Sequence, residues 1–336
     1  MKRLGFFGAM NRDLVAVIPG AAILPELAPW AVPLVESAVF DAIAEAGAAR
    51  LLGLGAAEYL GGSAFNAARI AALLNRAGNP LELAFFGIAG AVGHAYPHLE
   101  ALREWQVDIG GVEQSASPPA TCLAMVESGG RTLLTASGAN VGIADFLERE
   151  GEKLAAGIAR CDIIHVTSYL DPEAPALIAT VLSRARQLNP GLLVSLDPGA
   201  AWILPGGENL ALLFAQANIL HLNSEEFAHL GGHDTVAALA ARLAPSRRLI
   251  VARTHLGATV YEDRGAGALD QKTLPDTPLP PAIVDANGAG DTFCGGFLWH
   301  FATHANDPLT AARHGFLLAR AKIIQNGPLN STVLDA

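Results

Sequence analysis

The sequence has few cysteines and lacks the phosphate-binding run of P-loop enzymes. Its 336 residues include three cysteines, Cys122, Cys161 and Cys294, which are widely spaced and form no CxxC pair. An odd number of isolated cysteines excludes a disulfide framework and favours a reducing, cytoplasmic compartment. The run GxxxxGK[ST] does not occur, so a P-loop nucleotide site is excluded as well.

Charge is also scarce, and positive charge most of all. Charged residues make up 16% of the chain, and the formal net charge is −10 with a pI near 5.4. Nucleic-acid backbones are bound mainly by lysine and arginine, so no nucleic-acid partner is expected. The mean hydropathy is +0.33, but the apolar runs are short and interrupted, so no membrane span is expected either. Any phosphate ligand must therefore be bound by backbone N–H groups, a helix terminus, a metal ion or a few local cations.

Short apolar runs alternate with segments of helical period along the chain. The predicted strands are residues 4–9, 81–88, 161–168, 192–197, 218–223 and 248–253. The predicted helices are residues 64–76, 172–188, 234–244 and 309–325. This order predicts an α/β fold in which helices cover both faces of a mostly parallel central sheet.

Two regions, residues 14–60 and 118–136, interrupt this alternation. The second contains two strand-like runs around Ser128-Gly129-Gly130, which predicts a hairpin. Parts of both regions are expected to form a small sheet that projects over one edge of the main sheet.

The loop at residues 285–291 is the strongest candidate for a catalytic centre. Gly288, Ala289 and Gly290 precede an apolar helical stretch, so their N–H groups can converge on one point at a helix N-terminus and attract an anion. Asp291 follows directly, where a carboxylate can accept a proton from an attacking hydroxyl while the amides stabilise a transferring phosphoryl group. On local pattern alone, an N-cap aspartate in a tight glycine turn explains these residues equally well.

A second motif, GGSAFNAA at residues 61–68, also opens a predicted helix. The pair Gly61-Gly62 permits close approach of a ligand to the backbone, and Asn66 offers a donor and an acceptor to hydroxyl groups. Taken by itself, this motif is also consistent with a glycine turn followed by a solvated asparagine.

Together, these motifs resemble the signatures of the ribokinase-like (PfkB) family of sugar and nucleoside kinases. The run DANGAGDTFCGGF at 285–297 is similar to the second family signature, and GGSAFNAA is similar to the first. The segment from Gly8 to Asp13 and the run from Asn223 to Glu226 also match family motifs, in the same order. The resemblance spans residues 4 to about 325 and implies one ribokinase-like domain over residues 1–336, with parts of 14–60 and 118–136 as a lid.

The resemblance implies an ATP-dependent phosphotransferase that acts on a primary hydroxyl of a sugar or ribonucleoside. Asp291 would be the base, and Gly288, Ala289 and Gly290 would form the anion hole. The residues implied to bind the acceptor are Asn11, Asp13, Gly62 and Asn66. The residues implied to bind Mg²⁺ and the nucleotide are Asn223, Glu226, Arg253 and Gly257. Asp285 and Asn287 would bind a monovalent cation such as K⁺, and the lid could form a homodimer interface.

The chain departs from the family pattern in places. Relatives often show a TxGxxGA run where this chain has residues 252–258, which keep Gly257 but lack the first glycine, and place Arg253 where it could meet a phosphate. Asn287 and Ser63 resemble the nucleoside kinases, whereas the Asn11-x-Asp13 pattern resembles ribokinase and fructokinase relatives. The sequence therefore leaves the acceptor open between a sugar and a ribonucleoside.

Three other functions compete with a kinase as explanations of the sequence. A dinucleotide-dependent oxidoreductase is disfavoured because Gly53-Leu54-Gly55 does not follow the first strand. A metal hydrolase using His300 and His304 is disfavoured because no glutamate lies between them. A sugar or nucleoside sensor that has lost turnover is motivated by the departures near Thr254, but pure binding would not need Asp291.

Overall fold

The structure is a computed structural model that describes residues 1–17, 37–38, 41–76, 78, 80–127, 130–263, 269–304 and 306–329. The strands are β1 Arg3–Phe7, β2 Asn11–Val17, β3 Ser37–Ala38, β4 Ala57–Gly61, β5 Glu82–Gly90, β6 Val107–Ser115, β7 Ala120–Glu127, β8 Gly130–Ala136, β9 Ile163–Thr167, β10 Leu193–Asp197, β11 Ile219–Leu222, β12 Arg248–Arg253, β13 Ala258–Asp263 and β14 Leu269–Thr273. The α-helices are α1 Asp41–Gly53, α2 Ser63–Asn75, α3 Pro97–Glu104, α4 Ile143–Ile158, α5 Ala174–Leu188, α6 Gly199–Ile203, α7 Glu208–Phe214, α8 Ser224–His229, α9 Val236–Ala241, α10 Ala289–Thr303 and α11 Pro308–Lys322.

Nine strands form the large sheet in the order β14-β13-β12-β11-β10-β9-β1-β5-β6. The strands from β12 to β6 pair in parallel, while β13 and β14 add an antiparallel edge. All five residues of β9 are buried, because helices cover both faces of the sheet and a parallel strand between them meets no water. The predicted α/β fold is confirmed.

Two separate cores lie on the two faces of the large sheet. Phe146 of α4, Ile178 of α5 and Leu210 of α7 belong to one core. Phe65 of α2 and Phe297 of α10 belong to the other. Helices α3 and α4 were not predicted, although the buried residues of α4 recur at helical spacing. The edge strand β14 was missed because it is mostly exposed and has no apolar run. The adjacent strand β13 was missed although it is mostly buried.

A smaller sheet with the strand order β3-β8-β7-β2-β4 corresponds to the predicted lid. Strands β7 and β8 form an antiparallel pair as predicted, whereas Ser128 and Gly129 at the expected turn lie outside the described residues. Leu14 of β2 packs with Leu51 of α1 on one face of this sheet. Because side chains alternate along a strand, Asp13 points to the opposite face.

The large sheet reverses its strand order beside β1. From β1 the chain continues to β5 and β6 on one side, and later strands from β9 to β12 extend on the other side. At such a reversal the loops after neighbouring strands diverge and leave a crevice at the carboxyl edge of the sheet. Asp197 and Arg253 end their strands at that edge, and Asn223 directly follows β11.

No helix in the described part of the chain has both the length and the apolar composition needed to cross a membrane.

Candidate active site

The turn before α10 has the geometry of an anion-binding helix start. Gly288 is the N-cap residue, with a φ of 73° in the left-handed region that glycine adopts without strain. Its carbonyl accepts hydrogen bonds from the Thr292 N–H at 2.9 Å and the Thr292 hydroxyl at 2.8 Å. Ala289 N–H donates a long bond of 3.3 Å to Ala286 O, whereas Gly288 N–H and Gly290 N–H donate to no carbonyl among the described backbone. Two of the three predicted amides thus have no main-chain acceptor among the described residues.

Asp291 lies in the first turn of α10, where its carboxylate meets helix α2. The amide Nδ2 of Asn66 donates to Asp291 Oδ2 at 2.9 Å, which joins the two signature motifs across 225 residues. Burial raises the pKa of the Asp291 carboxyl, the bond from Asn66 opposes that rise, and the nearby charge of Asp197 adds to it. A carboxylate with a raised pKa is a stronger proton acceptor than a free aspartate.

Helix α2 begins where the backbone has no room for a side chain. Gly62 caps the helix with a φ of 107°, and a Cβ atom there would lie 2.1 Å from the carbonyl oxygen of Ala9. Only glycine permits this close contact between the start of α2 and the connection from β1 to β2. The second glycine of the motif is thus needed to place Asn66, one turn further on, beside Asp291.

A cleft between the small sheet and the helices α2, α10 and α11 brings both signature motifs together. Its lining includes Asp13 of β2, Asn66 of α2, Asn287 and Gly288 of the turn, and Thr292 of α10. A ligand in this cleft would contact the acceptor residues and the anion-binding turn at the same time.

Asn11 lies at the start of β2 and is fixed by two buried residues that the sequence analysis missed. Asn140 Nδ2 donates to Asn11 Oδ1 at 3.2 Å, and His98 Nε2–H donates to the Asn11 carbonyl at 3.0 Å. Burial lowers the pKa of His98 to about 4, so the ring is neutral at pH 7. These two residues fix the start of β2.

Arg69 is a further cleft residue that was not predicted. It lies three residues after Asn66, on the same face of α2, and its Nη2 donates to Leu60 O at 2.9 Å. Burial lowers the pKa of Arg69 to about 10, and the charge of Asp13 opposes that fall. In the sequence, only its spacing of three residues from Asn66 indicates that Arg69 could lie on the same helix face.

Arg253, at the end of β12, is tied to the start of α10. Its Nη1 contacts Asp197 Oδ2 at 2.9 Å, Gly290 O at 3.2 Å and Cys294 Sγ at 3.1 Å. Burial opposes ionisation of both charged groups, but their mutual attraction outweighs it, which lowers the pKa of Asp197 and raises that of Arg253. Burial also raises the pKa of Cys294, so this thiol stays protonated and donates to Asp197 at 3.3 Å.

Asn223 and Glu226 form a reciprocal capping box at the start of α8. Glu226 N–H donates to Asn223 Oδ1, and Asn223 N–H donates to Glu226 Oε2, both at 2.9 Å. Glu226 is only 5% exposed; burial, and then the charge of Asp197, raise its pKa to about 7. Gly257 lies in the turn between β12 and β13, where its N–H donates to Thr254 Oγ1 at 3.0 Å.

Asp285 accepts hydrogen bonds from the last residue of α11, from the segment after that helix and from its own loop. Its Oδ2 accepts from Lys322 Nζ at 3.0 Å and from Gly327 N–H at 3.1 Å, while its Oδ1 accepts from Asn287 N–H at 2.9 Å. The Asp285 carbonyl also accepts from Lys322 Nζ, at 2.8 Å. Lys322 is 2% exposed. Among the described residues, no group of three or more His, Cys, Asp or Glu side chains is arranged to hold a metal ion.

A family model and a known relative both match most of this chain. The model of the family described as pfkB family carbohydrate kinase matches residues 32–333. Ketohexokinase from Mus musculus is 27% identical over 274 residues, which cover 78% of this chain and 84% of that protein.

Solved structures of two bacterial kinases share the fold. A probable sugar kinase protein from Rhizobium etli CFN 42 superposes with a TM-score of 0.77 at 21% identity, covering 100% of this chain and 97% of that one. Adenosine kinase from Sinorhizobium meliloti superposes with a TM-score of 0.76 at 22% identity, covering 99% and 98%. At these identities the likeness establishes the architecture.

Proposed function

Because the chain belongs to the PfkB family of carbohydrate kinases, we propose that it transfers the γ-phosphoryl group of ATP to a primary hydroxyl of a sugar or ribonucleoside. One observation carries the proposal: Asn66 of α2 holds the Asp291 carboxylate at the N-terminus of α10, beside the cleft that also contains Asp13. The proposal adds the reaction chemistry and the residue roles to the family membership.

The acceptor binds between the small sheet and α2 in this proposal. Asp13 and Asn66 bind its hydroxyl groups, with Asn11 beside them, and Gly62 allows the start of α2 to lie close enough for Asn66 to reach it. This places a primary hydroxyl next to Asp291. The hydroxyl proton moves to the Asp291 carboxylate as the oxygen attacks phosphorus, and the bond from phosphorus to the bridging oxygen of ATP breaks, so that ADP leaves.

The transferring phosphoryl group lies at the start of α10. The amides of Gly288 and Gly290 face its oxygens in this proposal, and the amide of Ala289 joins them by giving up its long bond to Ala286 O. The free N–H groups of the first helical turn supply partial positive charge. Arg253 uses one nitrogen to hold Asp197 and the Gly290 carbonyl, and its remaining N–H groups can contact the nucleotide phosphates. Gly257 is proposed to lie beside the nucleotide.

The residues around Asn223 and Glu226 fit a weakly held Mg²⁺ ion. Burial and the charge of Asp197 raise the pKa of Glu226 to about 7, and a cation nearby would relieve that repulsion. Mg²⁺ commonly uses one or two carboxylates together with phosphates and water, which agrees with the absence of a larger ligand group in the described part of the chain. The ion would neutralise charge on the β- and γ-phosphates.

The acceptor class stays open between a hexose or pentose and a ribonucleoside. Mouse ketohexokinase and the adenosine kinase of Sinorhizobium meliloti represent the two classes among the relatives. The small sheet is proposed to close over the acceptor and exclude water, so that transfer outcompetes hydrolysis of ATP. Its role as a homodimer interface and a cytoplasmic location remain predictions.

Replacement of Asp291 by asparagine tests the proposal. Asp291→Asn keeps the size of the side chain and an oxygen that can accept from Asn66, but removes the proton acceptor. We expect turnover, measured as ADP release with a panel of sugars and ribonucleosides, to fall at least about 100-fold, with acceptor affinity by calorimetry nearly unchanged. Asp270→Asn, at an exposed side chain on β14, is the matched control and should retain full turnover.

Two results would count against this function. Retained turnover in Asp291→Asn would remove Asp291 from the mechanism. Saturable acceptor binding by the wild-type protein, without ADP release for any acceptor, would favour a sensor over a kinase.

A further inference from the structure

A buried lysine lies where the family resemblance implied a monovalent cation. Lys322 is the last residue of α11, and its side chain is almost completely removed from solvent. Its ammonium nitrogen lies 2.8 Å from the Asp285 carbonyl oxygen and 3.0 Å from Asp285 Oδ2. A carboxylate and a backbone carbonyl are the oxygen donors that a hard cation would use, and here they already surround a positive charge.

The surroundings of Asp285 leave its carboxylate little capacity for another ion. Gly327 N–H and Asn287 N–H also donate to it, so both oxygens are engaged. A K⁺ ion within ligand distance of Asp285 would face the ammonium at close range, and the repulsion between like charges in a buried site is large. The residues present therefore do not fit an exchangeable cation at this carboxylate.

The bonds of Lys322 lead directly to the proposed catalytic turn. Asp285, fixed by the ammonium, accepts from the N–H of Asn287, the residue before Gly288. The main chain is tied to the same helix end, since Val284 N–H donates to Ile323 O at 2.7 Å. Lys322 also lines the cleft with Asn66 and Gly288. Its charge is thus placed to hold the loop that leads into α10.

Stabilisation of the fold does not by itself explain a buried ion pair, because such pairs often contribute little net free energy of folding. Removing two charges from water costs free energy that their attraction does not always recover. Burial lowers the pKa of Lys322, and Asp285 and then Asp291 oppose that fall, so the negative charge at the site favours the protonated amine. A role in positioning the loop accounts for an ammonium here better than packing does.

We propose that the ammonium group of Lys322 is a covalently attached substitute for a monovalent cation, which fixes the 285–288 loop and makes the protein independent of K⁺. The proposal rests on the kinase function for its effect on turnover, but the ion site itself is independent of that function. Thermal unfolding without nucleotide or acceptor therefore tests the site separately.

The wild-type protein gives the first test. Between NaCl, KCl and NH₄Cl at equal ionic strength, its Tm should change by less than about 1 °C and its turnover by less than about twofold. A specific rise of Tm in KCl would show that an exchangeable site exists, and would overturn the proposal without any variant. If no turnover is found with any acceptor, the Tm series still shows whether an exchangeable monovalent cation binds.

Two variants give the second test. Lys322→Ala should have a lower Tm than the wild type in NaCl and recover at least about 2 °C in KCl or NH₄Cl, because the ion enters the space left by the ammonium. Turnover should recover in parallel by at least about tenfold. Lys322→Met fills the space without charge, so it should be destabilised and should not respond to either ion.

Lys272→Ala is the matched control, since Lys272 forms an exposed ion pair with Asp270 at 3.2 Å. It should show no ion-specific change, because exposed pairs contribute little. A Lys322→Met variant as stable as the wild type, or a Lys322→Ala variant with no ion response, would assign Lys322 to packing alone and overturn the proposal. If neither variant folds, the wild-type ion series decides the question.

Discussion

Substitution of Gly295 by alanine should force apart helices α2 and α10, which carry Asn66 and the proposed base Asp291. Gly295 lies in α10 where it crosses α2, and a Cβ atom there would be 2.5 Å from the carbonyl oxygen of Ala67 and 2.8 Å from Ile70 Cβ. Ordinary contacts of a Cβ begin at 3.4 Å, and a backbone carbonyl cannot rotate away. The helices must therefore separate by roughly 1 Å in a core that is packed as densely as a crystal.

Stability and activity should both fall as a result. Overpacking of this size costs about 1–3 kcal/mol, and the better helix propensity of alanine recovers only about 0.5–1 kcal/mol of it. The hydrogen bond from Asn66 to Asp291 spans the same two helices at 2.9 Å. A displacement of roughly 1 Å breaks it, and misplacement on that scale costs about 100-fold in rate.

The same substitution in α4 provides the control. Gly151 is also a buried helical glycine, but a Cβ atom there would meet Arg184 Nη1 at 3.6 Å and Val181 Cγ2 at 3.7 Å, which are ordinary contacts. Gly151→Ala should therefore be neutral or stabilising by about 0.5–1 kcal/mol and should keep full turnover. Urea unfolding and steady-state turnover on both variants measure the difference. Equal stability of Gly295→Ala and the wild type would refute the close packing of α2 and α10.

Two further predictions concern the titration of Asp291. Because the folded-state pKa of Asp291 is raised, the native state binds the proton more tightly than the unfolded chain does. The stability of the protein therefore falls as the pH rises from 3.8 through the folded-state pKa. Asp291→Asn should unfold at a higher urea concentration than the wild type at pH 7.5, and this difference should vanish in acid. Asn66→Ala removes a hydrogen bond that favours the carboxylate and should move the acid limb of the kcat profile to higher pH, whereas an unmoved limb would show that another group titrates there.

The sequence predicted those parts of the fold that rest on local patterns. Strands β9 and β12, for example, are mostly apolar in sequence. A run of this kind is enough to predict a parallel strand that is buried on both faces. The two glycine motifs and Asp291 could be singled out for a similar reason, since each lies at the start of a single helix. Family membership and the α/β architecture are confirmed, while the roles assigned to individual site residues stay predictions.

The pairings within the site could not be predicted because they join distant parts of the chain. Asp197 and Arg253 are 56 residues apart, and Asp285 and Lys322 are 37 apart. In the sequence alone, each of these residues is an ordinary charge, at the end of a strand or helix or, for Asp285, in a loop. Only the order of strands in the sheet and the packing of α11 against α10 bring the partners together, and neither follows from local periodicity.

In the proposed mechanism, the positive charge of the site would come from fixed side chains and from one exchangeable ion. Asp197 has Arg253 as a fixed partner, and Asp285 has Lys322, so neither carboxylate needs an ion from solution. Glu226 is also buried, yet its pKa is raised to about 7, since Arg253 is shared with Asp197 and does not offset the burial. An ion that arrives with the nucleotide would act at this unbalanced carboxylate. The charge distribution thus favours a kinase that depends on a divalent cation but not on a monovalent one.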